Sequence, residues 1–344
     1  MLIGHRKIFS VCKELERIGK KLKLYFYTNR APKLIKRDIA RFFFELDAEV
    51  AIFRGVVDDH SHVICTQWKT VYDFRKVEFK GRVINFVQDF EPMFFPVGSD
   101  YIRALSSYKL GFDIICYGEW VAAKLNDELA ISSKVIPFTM DHDTYGPPSV
   151  EQERDIDVLL FARPSQDRRC FELIIEGLVD LKSRNPNVRI GLFGEDEYED
   201  IGIEFTNFGS ISDLHDLAAL YHRAKVGICY SPTNPSQLGY EMVACGVAVI
   251  DVQIKFAELN FDGDKFIRYC DGTPESMVRA CEELLCNPGD LQRRQAAGYV
   301  FVRGMPNDDE LGWAFVEAAG IQEQMLKVAS TGGRLASERI ARAV

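Results

Sequence analysis

The sequence has no Cys-x-x-Cys pair, no long apolar run and no excess of positive charge, and each absence removes a class of function. Nine cysteines, Cys12, Cys65, Cys116, Cys170, Cys229, Cys245, Cys270, Cys281 and Cys286, are spread over 344 residues. Their number is odd and most lie inside apolar stretches. They read as buried free thiols of a reducing compartment, not as a disulfide framework. The six histidines form no His-x-x-x-His pair, so no zinc pattern appears. No Gly-x-Ser-x-Gly elbow or phosphate-binding P-loop occurs. Lys and Arg total 42 against 51 Asp and Glu, a net charge of −9, which excludes general nucleic-acid binding. A ligand bearing phosphates stays open, because it needs only a local cluster of cations. The N-terminus lacks the apolar core of a secretory signal. The longest apolar stretches fall well short of the roughly 18–20 residues that span a bilayer. The expectation is a cytoplasmic protein, with peripheral contact at the inner membrane face left open.

What is present is an alternation of helix and strand. Apolar residues at Ile8, Phe9, Val11, Cys12, Leu15 and Ile18 predict a first helix that Gly19 ends. Strands are expected at 22–27, 50–53, 63–66, 83–87, 113–117 and 135–136, with helices at 40–46, 69–74, 100–107 and 119–125. The segment 137–155, rich in Pro, Gly and charge, reads as a linker. A second alternation then runs from a strand at 157–161 to helices at 274–285, 288–301 and 310–328. Such a pattern predicts an α/β protein with two facing domains built on parallel sheets. The expected boundaries are 1–140 for an N-terminal domain, 141–155 for the linker, 156–328 for a C-terminal domain and 329–344 for a polar tail. The first helix begins almost at once, so the opening central strand of the first domain is expected to be missing or truncated.

Three segments could carry chemistry. Phe161 to Arg169 follows a strand and precedes a helix, and it places Arg163, Arg168 and Arg169 at a sheet edge beside a helix N-terminus. Permanently charged guanidinium forks there suit a diphosphate. A solvated loop of surface arginines is an equal reading of the fragment alone. Ser231 to Glu241 reads as strand, irregular loop and helix, with Glu241 on an apolar helix face. That carboxylate wants a partner, either a ribose diol or a neighbouring cation. Gln88 to Pro96 sets Asp89 and Glu91 among aromatics after a buried strand, as in a sugar surface or a packed loop. Asp141-His142-Asp143 forms an Asp-x-Asp triplet, but within the linker, so no metal site is expected.

Together these residues resemble glycosyltransferase family 4, which has the GT-B fold. Within that family they are similar to the bacterial rhamnosyltransferases of cell-surface polysaccharide and S-layer glycan synthesis. The resemblance runs from Gly4 to about residue 326. It rests on Gly4-His5 with Leu15-Glu16-Arg17-Ile18-Gly19, on Val87 to Phe94, on Phe161 to Leu173, and on Glu241-Met242-Val243-Ala244-Cys245-Gly246. It implies a retaining transfer of sugar from a nucleotide diphosphate, with dTDP-rhamnose the donor of the subgroup, to a glycan or lipid-linked acceptor. The catalytic set it implies is Arg163, Arg168 and Arg169 on the leaving diphosphate, with Asp89 and Glu91 on the acceptor side. For the donor it implies Glu241 on the ribose, backbone N–H groups of Ser236, Gln237 and Leu238 on the diphosphate, Gly209 and Ser210 beside the base, and Gly4 in the first loop. No metal or other cofactor is implied; the nucleotide sugar is a co-substrate. The sequence departs from the family at Thr233, where a first Glu is common. That departure, with the short N-terminus, favours the alternative of a non-catalytic GT-B protein acting as partner or scaffold for another transferase.

Overall fold

The computed structural model describes residues 3–150, 153–259 and 265–321. The polar tail expected at 329–344 lies outside the described residues. Helix α1 (Ile3–Arg17) buries Phe9, Val11, Cys12 and Leu15 along one face. It leads into β1 (Lys23–Phe26), which pairs in parallel with β2 (Glu49–Ile52) across α2 (Pro32–Phe42). Pro32 starts α2, where its missing N–H costs no hydrogen bond. The helix therefore lies earlier than the 40–46 expected from sequence. Beyond Phe42 the chain leaves helical geometry, and the Phe43 ring turns in to lie 4.9 Å from Phe9.

The rest of the first half is a four-stranded parallel sheet, β3 (His62–Cys65), β4 (Arg82–Val87), β5 (Asp113–Tyr117) and β6 (Lys134–Ile136), in that order. Helices α3 (Trp68–Phe74), α4 (Ser99–Ser107) and α5 (Glu119–Leu129) connect its strands. Among the described residues, the β1–β2 pair and this sheet share no ladder, so the first half holds two separate parallel pieces.

The second half is one six-stranded parallel sheet. Its strands are β7 (Ile156–Phe161), β8 (Ile190–Phe193), β9 (Thr206–Asn207), β10 (Ala224–Ile228), β11 (Ala248–Val252) and β12 (Ile267–Cys270), in the order β12-β11-β10-β7-β8-β9. The crossovers carry α6 (Phe171–Arg184), α7 (Leu214–His222), α8 (Gln237–Ala244) and α9 (Pro274–Cys286). The central strands bury both faces, with Val158, Leu159, Leu160, Val226 and Ile228 all 1% exposed or less, as parallel strands covered by helices must. Chain order reverses between β7 and β10. A crevice forms at the carboxyl edge of such a switch point, and the loops after β7 and β10 flank it here.

Two expectations about domain limits change. The described residues of 141–155 form a packed crossover. Tyr145 is buried, Arg6 on α1 pairs with Asp141 at 2.7 Å, and Arg154 donates to the carbonyls of Tyr221, Ala224 and Cys245. After α10 (Pro288–Arg303) the chain returns to the first half. Asn307 bridges to Met140, and α11 (Asp308–Ala319) packs on α1, β5 and β6. Leu311, Phe315 and Val316 join Ile84, Phe86 and Ile115 in one core. Gly312 permits the close approach, since a side chain there would collide with Glu14. Helix α11, expected within the 156–328 block, thus packs with the first half. All nine cysteines are unpaired, seven of them buried and Cys286 exposed. No helix among the described residues is long and apolar enough to cross a membrane.

Candidate active site

The arginine loop leaves β7 at Phe161. Arg163 O accepts from Gln166 N at 3.0 Å, and a short 3-10 turn over Asp167–Arg169 follows. Cys170 then takes a left-handed conformation (φ 53°) to start α6. A non-glycine residue held there is strained, and such strain persists only where surroundings impose it. The turn projects its arginines in two directions. The Arg163 and Arg169 guanidinium carbons each lie 5.5 Å from the Phe161 ring centroid. Arg168 reaches across to the first half, 4.6 Å from the Phe94 ring. Aromatic faces hold these cations without consuming their N–H groups. Arg169 Nη1 lies 3.3 Å from both Ser231 Oγ and Ser236 Oγ. The buried Nε atoms of Arg163 and Arg169 have no hydrogen-bond partner, and Glu195 approaches Arg163 Nε only to 3.8 Å. Burial, with Arg169 beside it, pushes the Arg168 guanidinium below its ordinary range. Clustered, desolvated cations with spare donors are a site for a polyanion.

The N-terminus of α8 points into the same crevice. Ser236 caps the helix, its Oγ accepting from Leu238 N at 3.3 Å. That contact spends the Leu238 N–H that the resemblance assigns to a diphosphate. Asp251, at the end of β11, holds the loop from beneath by accepting from Ser231 N at 2.9 Å and Val252 N at 2.7 Å. Burial pushes its carboxyl up to about 7, against those two bonds and the pull of Arg169. Asp251 was missed in the sequence because it reads as the end of an apolar strand.

On the facing side, Tyr108 Oη donates to Asp89 O and accepts from Glu91 N, both at 3.2 Å, which fixes the turn. Asp89 Oδ1 is buried with no hydrogen-bond partner. Burial raises its carboxyl to about 6, while Arg168 and Arg169 pull it back. Gly4 abuts the same loop: a Cβ there would sit 3.4 Å from Gln88 Oε1. Glu91 departs from the expected acceptor role. Its Oε2 accepts from Trp68 N, capping α3, and burial pushes its carboxyl up to about 8. Removing a cap of this kind costs about 0.5–2 kcal/mol. Glu91→Ala is therefore expected to lower the denaturation midpoint by that amount while nucleotide affinity stays within twofold, as denaturant titration and calorimetry would show.

The remaining predicted residues lie nearby but are otherwise engaged. Gly209 N donates to Asn207 Oδ1 and Ser210 N to Asp196 Oδ1, each at 2.8 Å, so this loop closes on itself. The Gln237 side chain ties the two halves together, donating to Thr139 O at 3.1 Å and accepting from Tyr117 Oη at 3.3 Å. Glu241 sits deeper in that junction, 6% exposed, with Oε2 unpartnered. Burial raises it to about 8; Lys7 and Arg6 of α1 lower it, while Asp308 and Asp141 add to the rise. Lys7, itself buried, donates to Thr139 Oγ1 at 3.1 Å and pairs with Asp308. Burial opposes its charge, but Tyr117 and Asp308 outweigh it and the pKa is raised. Lys7 was not singled out from sequence, although a lysine on the buried face of an amphipathic helix was visible there. The Asp-x-Asp triplet is spent on the crossover: Asp141 pairs with Arg6 and accepts from Thr144, and His142 Nε2 lies 3.0 Å from Met305 O. The structure thus brings Arg163, Arg168, Arg169, Ser236 and Asp89 to one crevice. It places Gln237 and Glu241 in the junction behind it.

Comparison with known proteins bears on the fold. Residues 156–282 match the family of the WsaF C-terminal domain. The chain is 29% identical over 196 residues to the O-antigen biosynthesis protein RfbC of Myxococcus xanthus, a stretch covering 54% of this chain and 15% of that protein. Anabaena Alr3699/HepE, crystallised with UDP and glucose, superposes with a TM-score of 0.70 at 12% identity, over 93% of this chain and 96% of that one. Sucrose-phosphate synthase of Thermosynechococcus elongatus gives 0.66 at 13%, over 94% and 93%. A glycosyltransferase of Rickettsia africae gives 0.64 at 12%, over 94% and 95%. The fold is GT-B: two Rossmann-like domains facing each other across a crevice.

Proposed function

We propose that this chain is a glycosyltransferase of polysaccharide synthesis, binding a nucleotide-sugar donor in the crevice and passing its sugar to a glycan or lipid-linked acceptor. The observation that carries the reading is one loop that sets Arg169 on the Ser236 cap of α8, Arg163 beside it on the Phe161 ring and Arg168 toward the first half, with unpartnered Nε groups on Arg163 and Arg169 and with Asp89 opposite. The similarity to the O-antigen biosynthesis protein RfbC supports a role in polysaccharide synthesis. Negative charge builds on the leaving diphosphate during transfer. Preorganised arginines stabilise it in a dry site without reorganising at the moment of reaction. On this reading no divalent metal is required, because the guanidinium groups supply the countercharge. Retention of anomeric configuration and a dTDP-rhamnose donor follow from the family resemblance and form the finer part of the proposal. Asp89 faces the arginines from the other domain and would orient the acceptor hydroxyl.

A second reading is a GT-B protein that binds donor without turning it over. Thr233 favours it, since its buried Oγ1 stands unpartnered where the family often places a carboxylate. One assay separates the two. Purified protein is incubated in EDTA with UDP-, GDP- and dTDP-sugars and a glycan acceptor pool, and release of nucleoside diphosphate is followed. Acceptor-dependent release from one donor class, abolished in Arg169→Ala, is the expected result. Tight nucleotide binding with no release would contradict catalysis and leave the second reading.

A further inference from the structure

Away from the Lys7 junction, the two halves also meet at the loop that leaves β11. Asp251, near the end of that strand, holds the donor-side loop through Ser231 N. A few residues on, Ile254 and Phe256 pack into the first half, against the cluster that contains Phe90, Tyr108 and Trp120. Trp120 Nε1, on α5, donates to Lys255 O at 2.8 Å. Lys255 Nζ pairs with Asp127 at 2.6 Å, but the lysine is 62% exposed and such a pair contributes little. Phe256 itself stands at φ 69°, in the left-handed region, where a bulky residue is an outlier. Glycine would take that conformation without steric cost. Phenylalanine holds it only because its surroundings impose it, and here they are the apolar seat and the Trp120 bond to the preceding carbonyl. The same seat supports the facing wall of the crevice. Phe90 follows Asp89 directly and stacks on Tyr108 with ring centroids 5.7 Å apart, and Tyr108 Oη bonds Asp89 O and Glu91 N.

We propose that residues 253–256 form a strap that sets the Asp89 loop against the donor-side loop, with Phe256 as its positioning residue. One short segment is tied to Ser231 through Asp251 at one end and is seated beside Phe90 at the other. Order in either wall of the crevice therefore supports order in the other. Packed contacts carry such coupling when they have a discrete seated state that can be lost as a unit. The strained Phe256 is the point at which this one lets go. The proposal rests on the reading of the crevice as a donor site, and it adds the element that holds Asp89 opposite the arginines.

The test is hydrogen–deuterium exchange on the whole chain, read at residues 88–95, for wild type, Phe256→Ala, Phe256→Gly and Phe256→Leu. Without ligand, Phe256→Ala and Phe256→Gly are expected to speed exchange at 88–95 by about tenfold, because local opening no longer has to unseat a ring. Exchange in β7 should stay as in wild type. Leucine should restore most of the protection, since it refills the seat on the same backbone. With UDP, GDP or dTDP, exchange at 88–95 should slow further in wild type and Phe256→Leu but not in Phe256→Ala. Equal exchange at 88–95 in wild type and Phe256→Ala would overturn the proposal. So would a leucine variant no better than alanine, a loss of protection spread through β7, or equal slowing by nucleotide in Phe256→Ala. Calorimetry on wild type reads nucleotide binding separately. If no nucleotide binds, the donor-site reading fails, while the ligand-free comparison still judges the strap.

Discussion

Arg169→Ala is expected to weaken nucleoside diphosphate binding by about 10- to 100-fold. A charge-assisted hydrogen bond contributes about 1.5–3 kcal/mol, and each 1.4 kcal/mol is a factor of ten. Arg169 is the cation that touches Ser231 in the loop after β10 and Ser236 at the start of α8, with its Nε unpartnered. Lysine in its place should recover part of the affinity, because it keeps charge but loses the planar fork. Stability should not fall with affinity. A half-buried cation beside Arg168, with its Nε buried and unpartnered, is a cost to the ligand-free fold, so removing it should leave the melting temperature unchanged or raise it. Calorimetric titration and thermal melting on the same preparations check both halves. A fall in affinity accompanied by a large loss of stability would make Arg169 a structural residue instead.

The other large effect is expected at the junction. Lys7→Met removes the cation that pairs with Asp308 and serves Thr139 in a site only 3% exposed at Lys7. Breaking a buried pair while leaving one partner charged costs about 3–5 kcal/mol. The double variant Lys7→Met/Asp308→Asn should recover much of it, because the orphaned charge is gone. A denaturant-derived loss below about 1 kcal/mol, typical of exposed pairs, would show that the junction is solvated. Glu241 adds a pH dependence whose sign is fixed by burial. Its carboxyl is raised from 4.5 to about 8 in the folded protein. The protonated form is therefore favoured on folding. That contribution is complete below the unfolded value, drains away as pH rises between the two values, and is gone above about 8. Glu241→Gln should flatten the fall in stability between pH 5 and 8 (a window set by those pKa values). A parallel pH profile in the variant would contradict it.

The alternation of apolar strands and helices was legible because parallel strands and their crossovers bury long, contiguous runs. The position of the arginine loop was legible because a strand followed by a helix puts it at the carboxyl edge of the sheet; which arginines turn toward α8 and which toward the first half was not. What escaped was long-range. Nothing local to Asp308 or Gly312 announces that the last helix crosses back to pack on α1. Glu91 looked like an acceptor carboxylate because its partner, Trp68 N, lies on another element. The Ala40–Leu46 helix was misplaced because three consecutive phenylalanines suggested a helical face. In the structure Phe42 ends the helix in solvent, while Phe43 and Phe44 leave helical geometry and pack against the core that contains Phe9. Asp251 was invisible as a site residue because its significance is burial, which one sequence does not report, whereas Lys7 carried a signal in its place on the apolar face of α1.

The central claim is that the crevice between β7 and β10 binds a nucleoside diphosphate through its arginines. Calorimetric titration of the whole chain with UDP, GDP and dTDP, in EDTA and then with Mg²⁺, tests it most directly. One nucleotide binding in EDTA, unchanged by Mg²⁺ and lost in Arg169→Ala, is the result this structure predicts. Binding that appears only with Mg²⁺, or that survives intact in Arg169→Ala, would contradict it.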